Sequence, residues 1–477
     1  MDVLRVLHLC ALVKGAVSRS PLARAENGEE VSAQQPNARL ARLLEEAGWN
    51  AAQLAHAISS VASEHGHDLA VNRSTVTRWL AGTRPRPPAP AYILEALARR
   101  LRRPLAADDA GLTRAPTRIP DWSWEADPVH HLARLTNSQL DPGRGKPLGV
   151  AVYSLAALTV PNWEDLLSRT TARRAGLVAG RRVGRAEVEA LQSMTAFFAT
   201  STGAFGGGHA RTALTTYLAD DVTPWLLADA GEQVHRQLLT QAAQLTVLLG
   251  NMCADDGADA LAQHYHRTAA HLAAEAEDPH TYTIALRALA SHALELGHRQ
   301  PALTLTEQAA ATAARHSSPL TQSFIQSQLA LAHARAQDRP RALLALQTAE
   351  VLHSRADQDP SDPFGSYPTA ALHYQRARTL TALRDHQAAD RAFNASLRAR
   401  APQARRARAL TTALLAESQL LQGNLEESIA TWRRFLSDYP GLRSARATDS
   451  LTTMRQVLRP YSTHPGVALL TEEAASL

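Results

Sequence analysis

The sequence predicts an all-α protein in three parts: a small helical head, a helical middle region and a long C-terminal run of repeated helices. Three observations predict it. Ala and Leu dominate the composition and β-branched residues are sparse, which favours helix over strand. Apolar residues recur at i, i+3, i+4 and i+7, the stripe of an amphipathic helix. A small residue recurs five positions after a turn, at intervals of 40, 40, 47 and 39 residues. The 477 residues suffice for two or three domains with cores of their own.

Residues 1–35 open with "MDVLRVLHLCALVKGAV". The stretch has an apolar flavour, but Asp2, Arg5, His8 and Lys14 interrupt it and no A-x-A site follows. It reads as a short helix or a disordered leader, not a secretion signal. Residues 36–105 hold the head. Leu40, Leu43, Leu44 and Ala47 make one stripe, ended by Gly48. Leu54, Ala55, Ile58, Val61 and Ala62 make the second, Val76, Trp79 and Leu80 the third, and Leu94, Leu97, Ala98 and Leu101 the fourth. Residues 106–145 read as a linker, because Pro, Gly and Asp recur in "RAPTRIPDW", "EADPVHH" and "LDPGRGKP". Over residues 146–230 the helical pattern returns in "GVAVYSLAAL", "WEDLLSR" and "AEVEALQSMTAFFA". Residues 231–460 read as helices joined by short Gly/Asp/Pro turns, and 461–477 as a tail.

The repeat places Gly257 before Ala262, Gly297 before Ala302, Gln337 before Ala342, Arg384 before Ala389 and Gly423 before Ser428. Pro279, Pro319, Pro360, Pro402 and Pro440 follow the units. The turn reverses the chain, and the small residue lets the two helices of a pair approach closely. A lone hairpin cannot bury its face, so neighbours stack into a solenoid. The clearest unit, "ESQLLQGNLEESIATWRRFLSDYP" at Glu417–Pro440, resembles the tetratricopeptide pattern through Gly423, Leu425, Ser428 and Pro440. The spacing exceeds the usual ~34 residues, which implies extended loops or helices.

Charge locates a partner. The chain carries +5, and Asn37–Pro104 alone holds ten Arg against five acids, or +5 (10 − 5), leaving the rest near neutral. A basic segment on a neutral body points to a polyanion partner for that segment. Lys14 and Lys146 are the only lysines, a bias that a GC-rich genome explains. Cys10 and Cys253 are the only cysteines, too few for a zinc cluster or a disulfide framework and in keeping with a reducing cytoplasm. No run approaches the ~20 apolar residues of a membrane span, so no membrane partner is expected.

The most informative stretch is Asn72–Pro88, "NRSTVTRWLAGTRPRPP". Asn72 or Ser74 can cap a helix and Gly82 can end it. Val76, Trp79 and Leu80 point inward, and the other face carries Arg73, Ser74, Thr75, Thr77 and Arg78. Hydroxyls bond phosphates and bases, while arginine pairs with phosphate or reads guanine. Arg84 and Arg86 follow on a Pro-rich loop, placed to grip the backbone beside the groove. The candidate DNA contacts are therefore Asn72, Arg73, Ser74, Thr75, Thr77, Arg78, Arg84 and Arg86. The bland alternative is the solvated face of an ordinary bundle.

"STVTRWLAGTRPRP", with "AGWNAAQLAHAI" before it and "ILEALARRLRRPL" after it, resembles the Cro/repressor-like (XRE-type) helix-turn-helix of bacterial regulators. The matches are Leu54 and Ala55 on the second helix, and Ser74, Val76, Arg78, Trp79 and Gly82 on the third; Thr77 stands where Ser is typical. The connection "EHGHDLAV" is longer than the ~3–4-residue turn of that motif. Further on, "GRRVGRAEVEALQSMTAFFA", "GGGHARTALTTYL" and "ALRALASHALELGH" resemble large actinobacterial regulators that join such a head to tetratricopeptide-like repeats. That group includes negative regulators of sporulation and antibiotic production. Over residues 37–440 the resemblance implies an all-α architecture: an N-terminal helix-turn-helix bundle, a helical middle region and a C-terminal tetratricopeptide-like α-solenoid. It implies a sequence-specific transcriptional regulator binding double-stranded DNA. A homodimer on a two-part site is expected, because a single small head usually binds weakly. The repeats would dimerise or bind a peptide, protein or small-molecule signal in their groove.

Other chemistry is weaker. Gly206–Ala213, "GGGHARTA", invites a phosphate-loop reading, but it lacks the G-K-[ST] ending and no strand precedes it; a helix start needing flexible backbone is the plainer account. His209 and Arg211 are left as groove candidates. His264 and His266 are two apart and cannot share a helix face, and His130 and His131 have the same problem. Arg173, Arg174, Arg181, Arg182 and Arg185 form a second basic cluster, read as a solvated helix end or a second polyanion contact. No nucleophile–base–acid set is recognisable, so no enzyme activity and no cofactor or metal are expected. The competing function is a protein-interaction scaffold without DNA binding.

Overall fold

The computed structural model describes residues 35–112, 124, 126–140, 152–170, 182–356 and 364–477, and among these every regular element is a helix. One isolated bridge, between Arg182 and Asp229, is the only strand-like pairing among them. Of the expected leader all but residue 35 lies outside the described residues, as do Cys10, Lys14 and Lys146.

The head consists of α1 (Ala38–Glu46), α2 (Ala51–Glu64), α3 (Arg73–Leu80) and α4 (Ala89–Leu101). An asparagine starts each of the first three. Asn37 Oδ1 accepts from Leu40 N, Asn50 forms a reciprocal box with Gln53, and Asn72 Oδ1 accepts from Thr75 N. Amides that a helix cannot satisfy in its first turn thereby find partners. The stripes meet in a separate core, where Leu40, Leu54, Ile58, Val76, Ile93 and Leu97 are fully buried. The long connection between α2 and α3 is tied down. Ser59 Oγ donates to Leu69 O at 3.1 Å, the Tyr92 hydroxyl meets His67 Nδ1, and Leu69 and Val71 pack on the core.

The expected linker, 106–145, needs correction. Ala110 belongs to the head core, and Asn37 Nδ2 donates to Ala110 O at 2.9 Å. Further on, α5 (Pro128–Leu140) is a helix whose buried Val129, Leu132 and Leu135 join the main core. The repeated Pro, Gly and Asp drew attention from that stripe. "RAPTRIPDW" falls outside the described residues, and so does "LDPGRGKP" after Leu140.

A second correction concerns "GVAVYSLAAL". Its described part is a strap with only a 3₁₀ turn at Ala156–Leu158. Side chains of a later helix, α11 below, take up its backbone groups in place of helical hydrogen bonds. Ser154 N donates to Gln263 Oε1 at 2.8 Å and Gln263 Nε2 returns a bond to Ser154 O at 2.6 Å. The Arg267 guanidinium donates to the carbonyls of Ala157 and Thr159. The middle region continues with α6 (Trp163–Thr170), α7 (Arg185–Phe205), α8 (Gly207–Tyr217) and α9 (Thr223–Leu226).

Then come helix pairs: α10 (Glu232–Asp255) with α11 (Asp259–Glu275), α12 (Pro279–Glu295) with α13 (Arg299–His316), and α14 (Pro319–Arg335) with α15 (Arg339–Ser354). The last two are α16 (Thr369–Ala382) with α17 (His386–Ala399), and α18 (Arg405–Leu421) with α19 (Leu425–Asp438). Two further helices, α20 (Ala445–Leu458) and α21 (Pro465–Ala475), cover the last pair. The recurring positions have a common geometry. Gly257, Gly297, Gln337, Arg384 and Gly423 all have positive φ, 76°, 87°, 66°, 61° and 83°. In each turn the next amide bonds back five residues, as Ala258 N does to Cys253 O at 2.8 Å and Asn424 N to Gln419 O at 3.0 Å. This is the left-handed helix ending, which glycine tolerates best. The residues five positions on, Ala262, Ala302, Ala342, Ala389 and Ser428, are each 0% exposed. In the last pair Ser428 Oγ also donates across to Ala416 O at 2.8 Å.

Two of those turns use a residue with a side chain. Relief of the left-handed strain should outweigh the added chain entropy, so Gln337→Gly and Arg384→Gly should each stabilise the fold by about 0.5–1 kcal/mol. Gly297→Ala should destabilise it by about 1 kcal/mol. Urea unfolding of the three variants checks this; equal losses in all three would contradict it.

Candidate nucleic-acid interface

The α3 helix is short because Asn72 starts it and Gly82, at φ 106°, ends it, with Thr83 N bonding back to Arg78 O at 2.9 Å. Val76 is fully buried and Trp79 nearly so, which fixes which way the helix faces. Its other side is open. Asn72, Arg73, Ser74, Thr77, Arg78, Arg84 and Arg86 are exposed, and Thr75 is half-buried. The structure brings Asn72, Arg73, Ser74, Thr75, Thr77 and Arg78 together on α3, with Arg84 and Arg86 on the loop before α4, which holds a cis Pro87–Pro88 bond.

Hydrogen bonding changes the roles that the sequence suggests. Asn72 Oδ1 accepts from Ser74 Oγ at 2.7 Å and from Thr75 N and Oγ1 at 2.9 Å. Thr77 Oγ1 donates to Arg73 O at 2.9 Å. The three hydroxyl protons are therefore used inside the helix. A phosphate offers only acceptors, so in this arrangement the donors facing out are the arginines and Asn72 Nδ2. Arg78 makes one weak bond, to Thr75 Oγ1 at 3.4 Å.

The charges of the head are sorted by face. Glu46 pairs with Arg103 at 2.9 Å, and Glu64 and Glu95 both pair with Arg99 at 2.7 Å. Arg39 pairs with Asp108 at 2.8 Å. None of these pairs uses a residue of α3 or of the loop after it. Among the described residues Arg73, Arg78, Arg84 and Arg86 have no acid partner, so four positive charges stand together. Glu95, 3% exposed, also accepts from Leu155 N of the strap at 2.9 Å. Burial pushes its carboxyl up, and its bonds to Arg99 and Leu155 offset this only in part. The head thus attaches through α4, leaving the outer side of α3 exposed.

Residues 40–113 match the family model of the SP15 N-terminal domain. The match starts on α1, spans α2 to α4 and includes the buried stretch around Ala110, so it covers the head and none of the helix pairs. No curated protein matches the sequence.

The other candidates divide. Arg173, Arg174 and Arg181 lie outside the described residues; Arg182 is exposed, and Arg185 pairs with Glu189 at 2.9 Å. His264 and His266 are buried and diverge: the ring of His264 lies 6.2 Å from that of His131, and His266 Nε2 lies 3.2 Å from Asn251 Oδ1. His130 is exposed and pairs with Asp127 at 2.7 Å. Burial pushes His131 down to about 3. Among the described residues no group of three or more His, Cys, Asp and Glu is placed to hold a metal ion.

Gly206–Ala213 is not a loop but the cap and first turns of α8, and it forms a structural joint. A Cβ on Gly207 would lie 2.6 Å from Met252 O, so only glycine fits there. The amide that would receive a phosphate, Gly207 N, donates instead to Asp255 Oδ2 at 2.8 Å. The His209 ring packs tilted against that of Phe205, and Arg211 pairs with Asp256 at 3.2 Å. Asp255 is 1% exposed and also takes Arg406 Nε at 2.9 Å and Ser444 Oγ at 2.8 Å. No local sequence signal marked this set, because Arg406 and Ser444 lie 151 and 189 residues away. Burial pushes the Asp255 carboxyl up, but Arg406, Gly207 and Ser444 more than offset it and hold it below the usual range.

Removing this charge leaves Arg406 without its partner. Asp255→Asn should destabilise the chain by roughly 2–4 kcal/mol at neutral pH. A depressed carboxyl stabilises the fold above its unfolded value of about 4 and loses that contribution as pH falls through the lower folded value. The gap between wild type and variant should close below about pH 4; a constant gap in denaturant melts from pH 7 to pH 3 would contradict this.

Proposed function

We propose that the chain is a sequence-specific DNA-binding transcriptional regulator of the cytoplasm, with α3 as the recognition helix of an XRE-type helix-turn-helix. The observation that carries this reading is the set of four arginines on and beside α3, exposed and without acid partners among the described residues, while Glu46, Glu64, Glu95 and Asp108 are taken by arginines elsewhere in the head. A plain helical cap has no use for such an arrangement, since clustered like charges repel one another. Arg73 and Arg78 would reach base edges or phosphates in the major groove, and Arg84 and Arg86 the backbone beside it. Asn72, beyond capping α3, would donate to phosphate through Nδ2. Ser74, Thr75 and Thr77 would then serve as acceptors facing base amino groups.

The helix pairs support a tetratricopeptide-like solenoid through their left-handed turns and fully buried small residues. In this reading the solenoid dimerises the chain or receives a peptide, protein or small-molecule signal, and the signal alters the spacing of two heads. The chain acts by binding and not by catalysis.

Fluorescence anisotropy on genomic fragments tests the proposal. Affinity should fall steeply with salt. Arg73→Ala/Arg78→Ala should weaken binding by roughly tenfold or more per arginine, from the ~1–3 kcal/mol of a good contact, with melting unchanged. A folded double variant that binds like wild type would refute the site. A wild-type chain that binds no fragment would favour the interaction scaffold.

A further inference from the structure

Where α18 and α20 return onto α7 and α10, the fold leaves a half-open cavity of about 290 Å³. This is near the lower end of the ~300–1,000 Å³ of small-molecule sites. One wall is apolar, from Leu248, Ile284 and Phe324. Another is cationic, from Arg287, Arg406 and Arg446.

Most of these charges are matched. Arg406 is held by Asp255, Arg446 pairs with Glu295, and Arg378 lies 3.7 Å from the same Glu295. Arg287 is different. Its Nε donates to Phe324 O at 3.1 Å and its guanidinium carbon lies 3.6 Å from the Phe324 ring centroid. It has no carboxylate partner among the described residues, and both terminal nitrogens are left for the cavity. Of the charged groups at the cavity, Arg287, Arg406 and Arg446 stand against Glu295 and the Asp255 that holds Arg406, or +1 (3 − 2). Burial pushes Arg287 down to about 10, which leaves it charged at neutral pH. Arg287 is half-buried and feels only the Glu295 carboxylate that Arg446 and Arg378 already share, so an anion in the cavity would supply a counter-charge of its own.

We propose that this cavity binds a small organic anion, its carboxylate or phosphate on Arg287 and Arg446 and its apolar body against Leu248, Ile284 and Phe324. The ligand would touch α10, α12, α14 and α20 together, so occupancy would hold the closed arrangement of the helix pairs. The site deepens the signal-receiving part of the regulator reading and rests on that reading for its biological consequence. Binding is measured without DNA, so the two proposals fail separately.

Calorimetry and thermal melts of the full chain in low-chloride buffer test the site with phenyl phosphate, benzoate and inorganic phosphate. Either organic probe should bind with measurable heat and raise the melting temperature, and comparing the two separates a phosphate site from a carboxylate site. Arg287→Met should abolish binding while the ligand-free protein melts at or above wild type, because a half-buried charge with no ion pair of its own has been replaced by an apolar chain of similar size. Ile284→Trp, which fills the cavity, should also abolish binding. No heat and no shift with any probe would overturn the proposal. So would undiminished binding by Arg287→Met, or a marked fall in its ligand-free melting temperature, which would make Arg287 a structural prop. Inorganic phosphate binding as tightly as phenyl phosphate, unaffected by Ile284→Trp, would indicate an adventitious ion only.

Discussion

Asp255 sits at the end of α10, almost without exposed surface, and ties three parts of the chain together: the Gly207 amide that begins α8, Arg406 on α18 and Ser444 at the start of α20. Stacked helix pairs normally form an open array in which each contacts only its neighbours. Here the first pair is joined directly to the last, and Phe205 O accepts from Arg443 N at 2.7 Å beside the joint. Other features follow from that closure. It shapes the internal cavity and braces the α10–α11 pair. Gln263 and Arg267 of α11 then hold the strap, and the strap meets Glu95 of α4. The seat of the head is thus linked by continuous contacts to a carboxylate far from it in sequence.

The same electrostatic rule acts with opposite outcomes at the two ends of this network. In the head, Glu46, Glu64, Glu95 and Asp108 are spent on Arg39, Arg99 and Arg103, none of them on α3, whose arginines stay exposed, where water lowers the cost of clustered charge. In the cavity, Arg287 is half-buried against Phe324 with no carboxylate of its own, where the cost is higher and a counter-ion would matter more. A solvated cationic surface suits a large, highly charged polymer. A recessed cationic site with an apolar wall suits a small anion.

Much of the architecture was legible in the sequence because periodic features carry it. The head stripes from Leu40 to Leu101 became helices with a shared core, and each small residue from Ala262 to Ser428 was found buried five positions after a left-handed turn. The candidate DNA face was legible as a set of neighbouring residues on one helix, and its exposure follows from Val76 and Trp79 pointing inward. Long-range polar contacts were not legible. "GVAVYSLAAL" looked helical, but Gln263 and Arg267 satisfy its backbone instead. The segment holding α5 looked like a linker because its flanking Pro and Gly outweighed Val129, Leu132 and Leu135. The spending of the Ser74, Thr75 and Thr77 protons within α3 also depends on rotamers that residue types alone do not dictate.

A genome-wide footprint of the bound protein tests the central claim most directly, because it asks whether the exposed arginine side of α3 recognises duplex DNA without presuming a target. The account predicts discrete protected sites sharing a two-part sequence, with half-sites about one helical turn or a multiple of it apart. Uniform protection, or no protection in cells that contain the folded protein, would contradict it.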